Sequence, residues 1–317
     1  MQFSFSIKES LLKVKGFTLP EILVVIVLSS IILGAIVGLF ISSENLFKKT
    51  KPVSDVLEEM RSGLATLDFV FSRWGAGVPC KNNQCQNNSN IVPCDDFPPS
   101  DPLCMNCTQG DFSSGCSEVV FYGNLYGLGF VVDNKTGNMV DIISCRLEND
   151  YKDDKPRQCY YIWHQNGVIT DNSTNKPLAF SFNSTPEFNS NNTDCINFNK
   201  TPNLTIPAEI DLCNSSITYT SNTTYTLQPG DIIVRSTQMI KLYVKQKKNG
   251  YWLIMEKTDI EMSKYYGIKS SINPIAKLKD ADSFKVYMAG KGVRIRAIFA
   301  SQSSPSQFFE IIKYYGR

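Results

Sequence analysis

The sequence predicts an α+β protein. A long N-terminal helix, transmembrane and then amphipathic, packs on an antiparallel β-sheet head that carries a disulfide-rich loop. Three observations predict it. Ile22 to Ile41 is a run of twenty residues without a charge. From Ser43 to Arg73 apolar side chains recur at three- and four-residue spacings, the period of a helix with one buried face. Beyond Glu118, β-branched and aromatic runs alternate with turn residues, and ten cysteines are spread from Cys80 to Cys213.

The first element is the apolar run. Twenty residues at about 1.5 Å each cross a bilayer core of about 30 Å. Lys8, Lys13 and Lys15 precede it against Glu9, which favours keeping that end in the cytoplasm. Lys48, Lys49 and Lys51 follow it, so the charge asymmetry is weak. Ser30, Gly34, Gly38 and Ser42 recur every four residues, a stripe that lets helix backbones approach closely in lipid or in a filament core. The second element continues the helix, with Val53, Val56, Leu57, Met60, Leu64, Leu67 and Phe71 on one side and Asp55, Glu58, Glu59, Arg61 and Asp68 on the other. Pro52 should bend or interrupt it, and Gly75, Gly77 and Pro79 should stop it.

Cys80, Cys85, Cys94, Cys104, Cys107 and Cys116 then fall within 37 residues rich in Asn, Asp, Pro and Ser. The composition is that of a loop, too polar to order itself by burial, so crosslinks would supply the constraint. Cys104 and Cys107 form a CxxC, which also admits a redox pair or a metal site. Cys145, Cys159, Cys195 and Cys213 are further disulfide candidates in the head. An even number of cysteines at this density points to an oxidising compartment. Strands are expected at Val119–Tyr122, Met139–Cys145, Cys159–Trp163 and Asp231–Arg235. Hairpins are expected around Asn249-Gly250 and around Gly290-Lys291-Gly292. The Asn- and Thr-rich stretch 166–225 reads as long loops with short strands.

Composition limits the chemistry. The chain is 317 residues, 42% hydrophobic and 20% charged, too apolar to stay disordered. A net charge of +2 does not mark a strongly basic nucleic-acid binder, although lysines and arginines among aromatics make the C-terminal half basic enough to admit DNA as a surface ligand. The one histidine, His164, rules out multi-histidine metal sites, and its place beside Trp163 reads as structural. Walker A and GxSxG motifs are absent. No catalytic residue, cofactor or metal is expected.

The segment before the apolar run is the most specific signal. It reads Lys15-Gly16-Phe17-Thr18-Leu19-Pro20-Glu21 and leads into Ile22-Leu23-Val24-Val25-Ile26. This resembles the prepilin signal of the type IV pilin and type II secretion pseudopilin superfamily. The resemblance implies cleavage after Gly16 by a prepilin peptidase, N-methylation of Phe17, and a retained helix. It also implies that Glu21 pairs with the α-amino group of a neighbouring subunit. Pro20 departs from the aliphatic residue common there in major pilins, but the first helical N–H groups have no intrahelical acceptor to lose. Arg73 to Cys80 and the order of the C-terminal strands resemble PilW-type minor pilins.

On that resemblance the architecture is a pilin-like lollipop. Residues 1–16 are the leader, 17–42 the transmembrane or filament-core helix, 43–74 the stem, 75–117 the cysteine-rich loop and 118–317 the head. The implied role is a structural minor pilin, not an enzyme, that helps to initiate or cap a type IV pilus. Its partners would be the peptidase, other major and minor pilins, and the inner-membrane assembly platform. It would sit in the bacterial inner membrane with its head outside the cytoplasm, then in the filament, at its tip. A type II secretion minor pseudopilin and a surface-binding tip module are the alternatives.

Overall fold

A computed structural model describes residues 18–126, 128–135, 139–143, 158–171, 174–181, 203–207, 209–213, 225–301 and 306–316. Gly16, Phe17, Cys145 and Cys195 lie outside the described residues. The chain divides into two compact units, residues 1–52 and 53–317. Helix α1, Leu19–Ser72, contributes to both and is unbroken at Pro52, contrary to the interruption that proline allows. Its missing N–H removes one backbone bond in a stretch whose neighbours Thr50 and Lys51 are exposed, so water can satisfy the freed carbonyl.

In the second unit the strands are, in chain order, β1 (Met105–Gln109), β2 (Glu118–Gly123), β3 (Leu128–Lys135), β4 (Met139–Ile143), β5 (Tyr160–His164) and β6 (Gly167–Val168). The next are β7 (Ala179–Ser181), β8 (Asn203–Pro207), β9 (Glu209–Leu212), β10 (Tyr225–Thr226) and β11 (Ile232–Arg235). The last are β12 (Gln238–Lys247), β13 (Gly250–Asp259), β14 (Ser271–Leu278), β15 (Phe284–Ala289), β16 (Gly292–Ala300) and β17 (Phe308–Tyr315), with helix α2 (Ile260–Tyr266) between β13 and β14.

They form two antiparallel sheets rather than one. The first runs β1-β2-β12-β13-β14-β16-β15, with β17 on β16. The second runs β10-β9-β7-β5-β11-β3-β4-β8, with β6 on β5. Thus 75–117 is not wholly loop, because Met105–Gln109 pairs with β2 as a sheet edge. Burial falls steadily from Met105 to the exposed Gln109 instead of alternating, so the strand has no two-residue period to stand out in sequence.

The outer part of α1 packs on the first sheet. Leu67, Val70 and Phe71 are buried there with Phe121, Ile240, Leu242 and Phe299. Phe71 stacks on Phe121 at 5.2 Å and on Tyr315 at 4.7 Å between ring centroids. Gly63 belongs to this contact although the apolar stripe does not mark it. A Cβ at that position would sit 2.6 Å from the Phe299 ring and 2.9 Å from Ala276 Cβ, so glycine sets how closely helix and sheet approach. We expect Gly63→Leu to destabilise the head by about 2–3 kcal/mol, as overpacking does. Urea unfolding of the full chain in detergent checks this, and an unchanged midpoint would show that the interface gives way.

Asp68 ties the same helix to the last strand. Lys313 Nζ donates to both carboxylate oxygens, at 2.5 and 2.6 Å, and the Tyr315 hydroxyl donates at 2.6 Å. Partial burial opposes ionisation of Asp68, but the Lys313 ammonium and the Tyr315 hydroxyl outweigh it and hold the carboxyl below its ordinary value. A depressed carboxylate adds stability above its unfolded pKa and loses it as pH falls through the folded one. Asp68→Asn should therefore lower the melting temperature at pH 7, with the two proteins converging as acid protonates the depressed carboxylate. The pair is half exposed, so the difference is held to about 1 kcal/mol. A gap that persists unchanged at pH 2 would count against the ion pair.

All eight described cysteines are bonded, as Cys80–Cys85, Cys94–Cys104, Cys107–Cys116 and Cys159–Cys213. Cys104 and Cys107 thus sit in separate bridges, and the CxxC does not close on itself.

Candidate functional site on the N-terminal helix

The site begins where α1 begins. Glu21 Oε2 accepts from the Thr18 backbone N–H at 2.8 Å and from the Thr18 hydroxyl at 2.9 Å. Thr18-x-x-Glu21 therefore carries the returning half of a capping box: the third helical residue satisfies the N–H of the residue before the helix. A carboxylate at this end also meets the positive end of the helix dipole. Glu21 is the only charge between Lys15 and Glu44, and the cap holds it at the head of the apolar run.

Every residue from 18 to 51 is exposed. Leu39 and Phe40 have 71% and 76% of their surface open, although burial of such side chains is worth about 1.5–3 kcal/mol each. Among the described residues, the stretch 19–51 of this helix buries no face. By length and composition it can cross a membrane, and a packed assembly of like helices would cover it equally well. The small-residue stripe is open too. Ser30 donates back to the Val27 carbonyl at 2.7 Å, and a Cβ on Gly34 or Gly38 would meet nothing within 4 Å. Among the described residues, no packing within the chain requires glycine at those positions. Ser42 is likewise exposed.

Sequence reasoning set His164 aside, and the structure gives it a defined partner. Its Nδ1 lies 2.5 Å from Asp231 Oδ1. The buried Asp231 also accepts from the Tyr225 hydroxyl at 3.0 Å and from Gln228 N–H at 2.9 Å. Burial, followed by the Asp231 charge and hydrogen bond, pushes the Tyr225 hydroxyl up to about 12. The arrangement pins the turn before β11 to β5, which is structural work for a histidine. Among the described residues no group of three or more His, Cys, Asp or Glu side chains is placed to hold a metal ion.

Comparison with known proteins adds the rest. Residues 11–37 match the prokaryotic N-terminal methylation motif, a span that takes in Gly16, Phe17, Glu21 and sixteen of the twenty residues of the apolar run. That motif implies processing by a prepilin peptidase and association with other pilins, and with the apolar helix it fits a membrane-anchored protein. An uncharacterized protein of Aquifex aeolicus (strain VF5) is 30% identical over 239 residues, 75% of each chain. No solved structure matches the chain. The exposed apolar helix with its capped carboxylate, the methylation motif over it and a likeness that reaches well into the head lead to one assignment: the chain belongs to one family with this Aquifex aeolicus protein and is a type IV pilin-like protein.

Proposed function

We propose that the chain is a minor pilin of the PilW type that helps to initiate or cap a type IV pilus. Prepilin peptidase cuts after Gly16, Phe17 becomes the methylated N-terminus, and α1 is kept as anchor and then as filament core. Glu21 exchanges its contact with Thr18 for the α-amino group of Phe17 on a neighbouring subunit. Ser30, Gly34, Gly38 and Ser42 form the face along which helices pack. Before assembly the protein lies in the bacterial inner membrane, with the head outside the cytoplasm, and the assembly platform passes it to the filament, where it takes the tip.

The observation that carries this reading is the fully exposed apolar helix headed by one carboxylate. An anchor alone needs the apolar run and gains from the acidic residue only a helix-end cap, at a lip where a charge without a partner is costly. Four disulfides among the described residues suit a head that works outside the cell. Mass spectrometry of the membrane-extracted protein is expected to find N-methylated Phe17 as the first residue. An N-terminus at Met1, or one beyond Ile41, would sink the proposal. A deletion strain then separates a pilus from a secretion filament: loss of pili supports the reading, and loss of secreted proteins with intact pili favours a pseudopilin.

A further inference from the structure

Two concavities adjoin on the head beside the C-terminal end of α1, and the filament role uses neither. The larger, about 440 Å³, lies against the stapled loop and is lined by Gln86, Asn87, Asn88, Asn90 and Asp101 over an apolar floor at Ile91. The other, about 320 Å³, lies between the end of α1 and the end of β17, with Ser72, Trp74, Tyr314 and Tyr315 in its walls. Leu103 and Lys291 line both, so the two form one cleft of a size that ligand sites ordinarily have.

The cleft is built rather than incidental. The bridges Cys80–Cys85 and Cys94–Cys104 clamp its loop at both ends. Asp101, only 6% exposed, organises the loop from within. Its carboxylate accepts from Leu103 N–H at 2.9 Å and from Asn88 Nδ2 at 3.0 Å, and its carbonyl accepts from Cys104 N–H at 3.1 Å. Lys291 reaches Asn87 Oδ1 at 3.4 Å. Trp74 is fixed by donating Nε1–H to the Cys104 carbonyl at 3.1 Å. A site held this way loses little freedom on binding.

The lining also selects a class of ligand. Its carboxylates are already satisfied, Asp101 by the loop and Asp68 by Lys313 and Tyr315, and Lys291 is the one cation. With Lys313 counted, two ammoniums balance the two carboxylates, so the lining offers an anion no net positive charge. The remaining groups are amides, each offering donors and acceptors side by side. Among the described residues the side chains of Gln86 and Asn90 make no hydrogen bond. Among the described residues outside the apolar run, Tyr314 is the most exposed aromatic, at 65%, and it offers a flat apolar face with a polar tip. Amides that pair with vicinal hydroxyls, beside a ring that stacks on the C–H face of a pyranose, are the chemistry of sugar recognition. We propose that this cleft binds a neutral oligosaccharide, with Tyr314 as the stacking platform and Gln86, Asn87 and Asn90 as the hydroxyl-reading groups.

The test uses the purified full-length chain in lauryldimethylamine oxide, a detergent without a sugar head. Cellopentaose, chitopentaose, maltopentaose and mannopentaose are titrated by isothermal calorimetry, with a (dT)10 oligonucleotide and oligogalacturonate as anionic probes. At least one neutral pentasaccharide should bind with sub-millimolar affinity, and Tyr314→Ala should weaken it about tenfold. Tyr314→Phe, which keeps the ring, should stay within about threefold, and Asn90→Ala should cost about three- to tenfold. Both positions are exposed, and an unchanged urea midpoint shows that the variants are folded. The proposal is overturned if none of the four sugars binds, if only an anionic probe binds, or if Tyr314→Ala and Asn90→Ala both bind as the unaltered chain does.

Discussion

Glu21→Ala and Glu21→Gln are expected to leave the protein exported, folded and disulfide-bonded, and to lower its share in filaments at least about tenfold. The reason is electrostatic. A helix that leaves lipid for a filament core keeps its carboxylate in a medium of low dielectric constant, where an unpaired charge is expensive and a pairing with an amino group sets the axial register between neighbours. In the isolated chain the same carboxylate is held by Thr18 at 2.8 and 2.9 Å, so it is positioned before a partner arrives. Glu21→Ala also loses this cap, which costs about 1 kcal/mol at a helix end, too little to unfold a helix that lipid already stabilises, whereas Glu21→Gln can keep it through its amide oxygen. The head is a separate compact unit from residue 53 onward and should melt unchanged. The measurement is the ratio of protein in sheared filaments to protein in membranes, with processing verified. An unchanged ratio in both variants would reduce Glu21 to a helix-end carboxylate. Thr18→Ala removes only the hydroxyl contact to Glu21 and keeps the backbone N–H and the charge, so its filament share should stay near that of the unaltered chain.

Removing the Cys159–Cys213 bridge should cost the head about 4 kcal/mol, against about 2–3 kcal/mol for any of the three bridges between Cys80 and Cys116. The difference follows from loop length: Cys159 and Cys213 are 54 residues apart, and the other pairs are separated by 5, 10 and 9. The long bridge joins the start of β5 to the end of β9, across the second sheet. Both sulfurs are buried with Tyr161, Ala179 and Met262, so no solvent-facing slack absorbs the loss. Cys159→Ala with Cys213→Ala should lower the urea midpoint well below that of Cys80→Ala with Cys85→Ala. Near-infrared or ultraviolet probes are unnecessary, since amide exchange on β5 and β9 reports the second sheet directly. Equal losses from the two double variants would show that the chain-entropy account does not hold here.

The N-terminal site was legible in the sequence because its signals are local. A charge-free run, a glycine before it and one acidic residue at its head need no tertiary contact to be recognised, and the 3.6-residue period of the stem reports its buried side wherever the sheet lies. Hairpins with Asn-Gly and Gly-Lys-Gly turns were legible for the same reason: β12 and β13 meet at Gly250, and β15 and β16 at Lys291.

The division into two sheets was not legible. Antiparallel strands read alike whichever sheet they join, and the pairing of β2 with β12, more than a hundred residues apart in sequence, leaves no local trace. Gly63 escaped notice because a glycine inside a helix looks like a weakness until Phe299 and Ala276 are seen against it. Disulfide partners could not be chosen from spacing, since ten cysteines admit many connectivities and only the fold brings Cys104 to Cys94 rather than to Cys107.

The sequence by itself determined that an apolar helix with a processing motif precedes a disulfide-bonded β head, because hydrophobic run length, helical period and cysteine count are properties of contiguous chain. Tertiary structure alone decided which strands share a sheet, which cysteines bond, how closely α1 approaches Phe299, and that Asn-rich loop and Tyr314 wall meet through Leu103 and Lys291 as one cleft. Each of those depends on residues far apart in the chain being brought within contact distance, and that proximity comes from burial of the whole core rather than from any local preference.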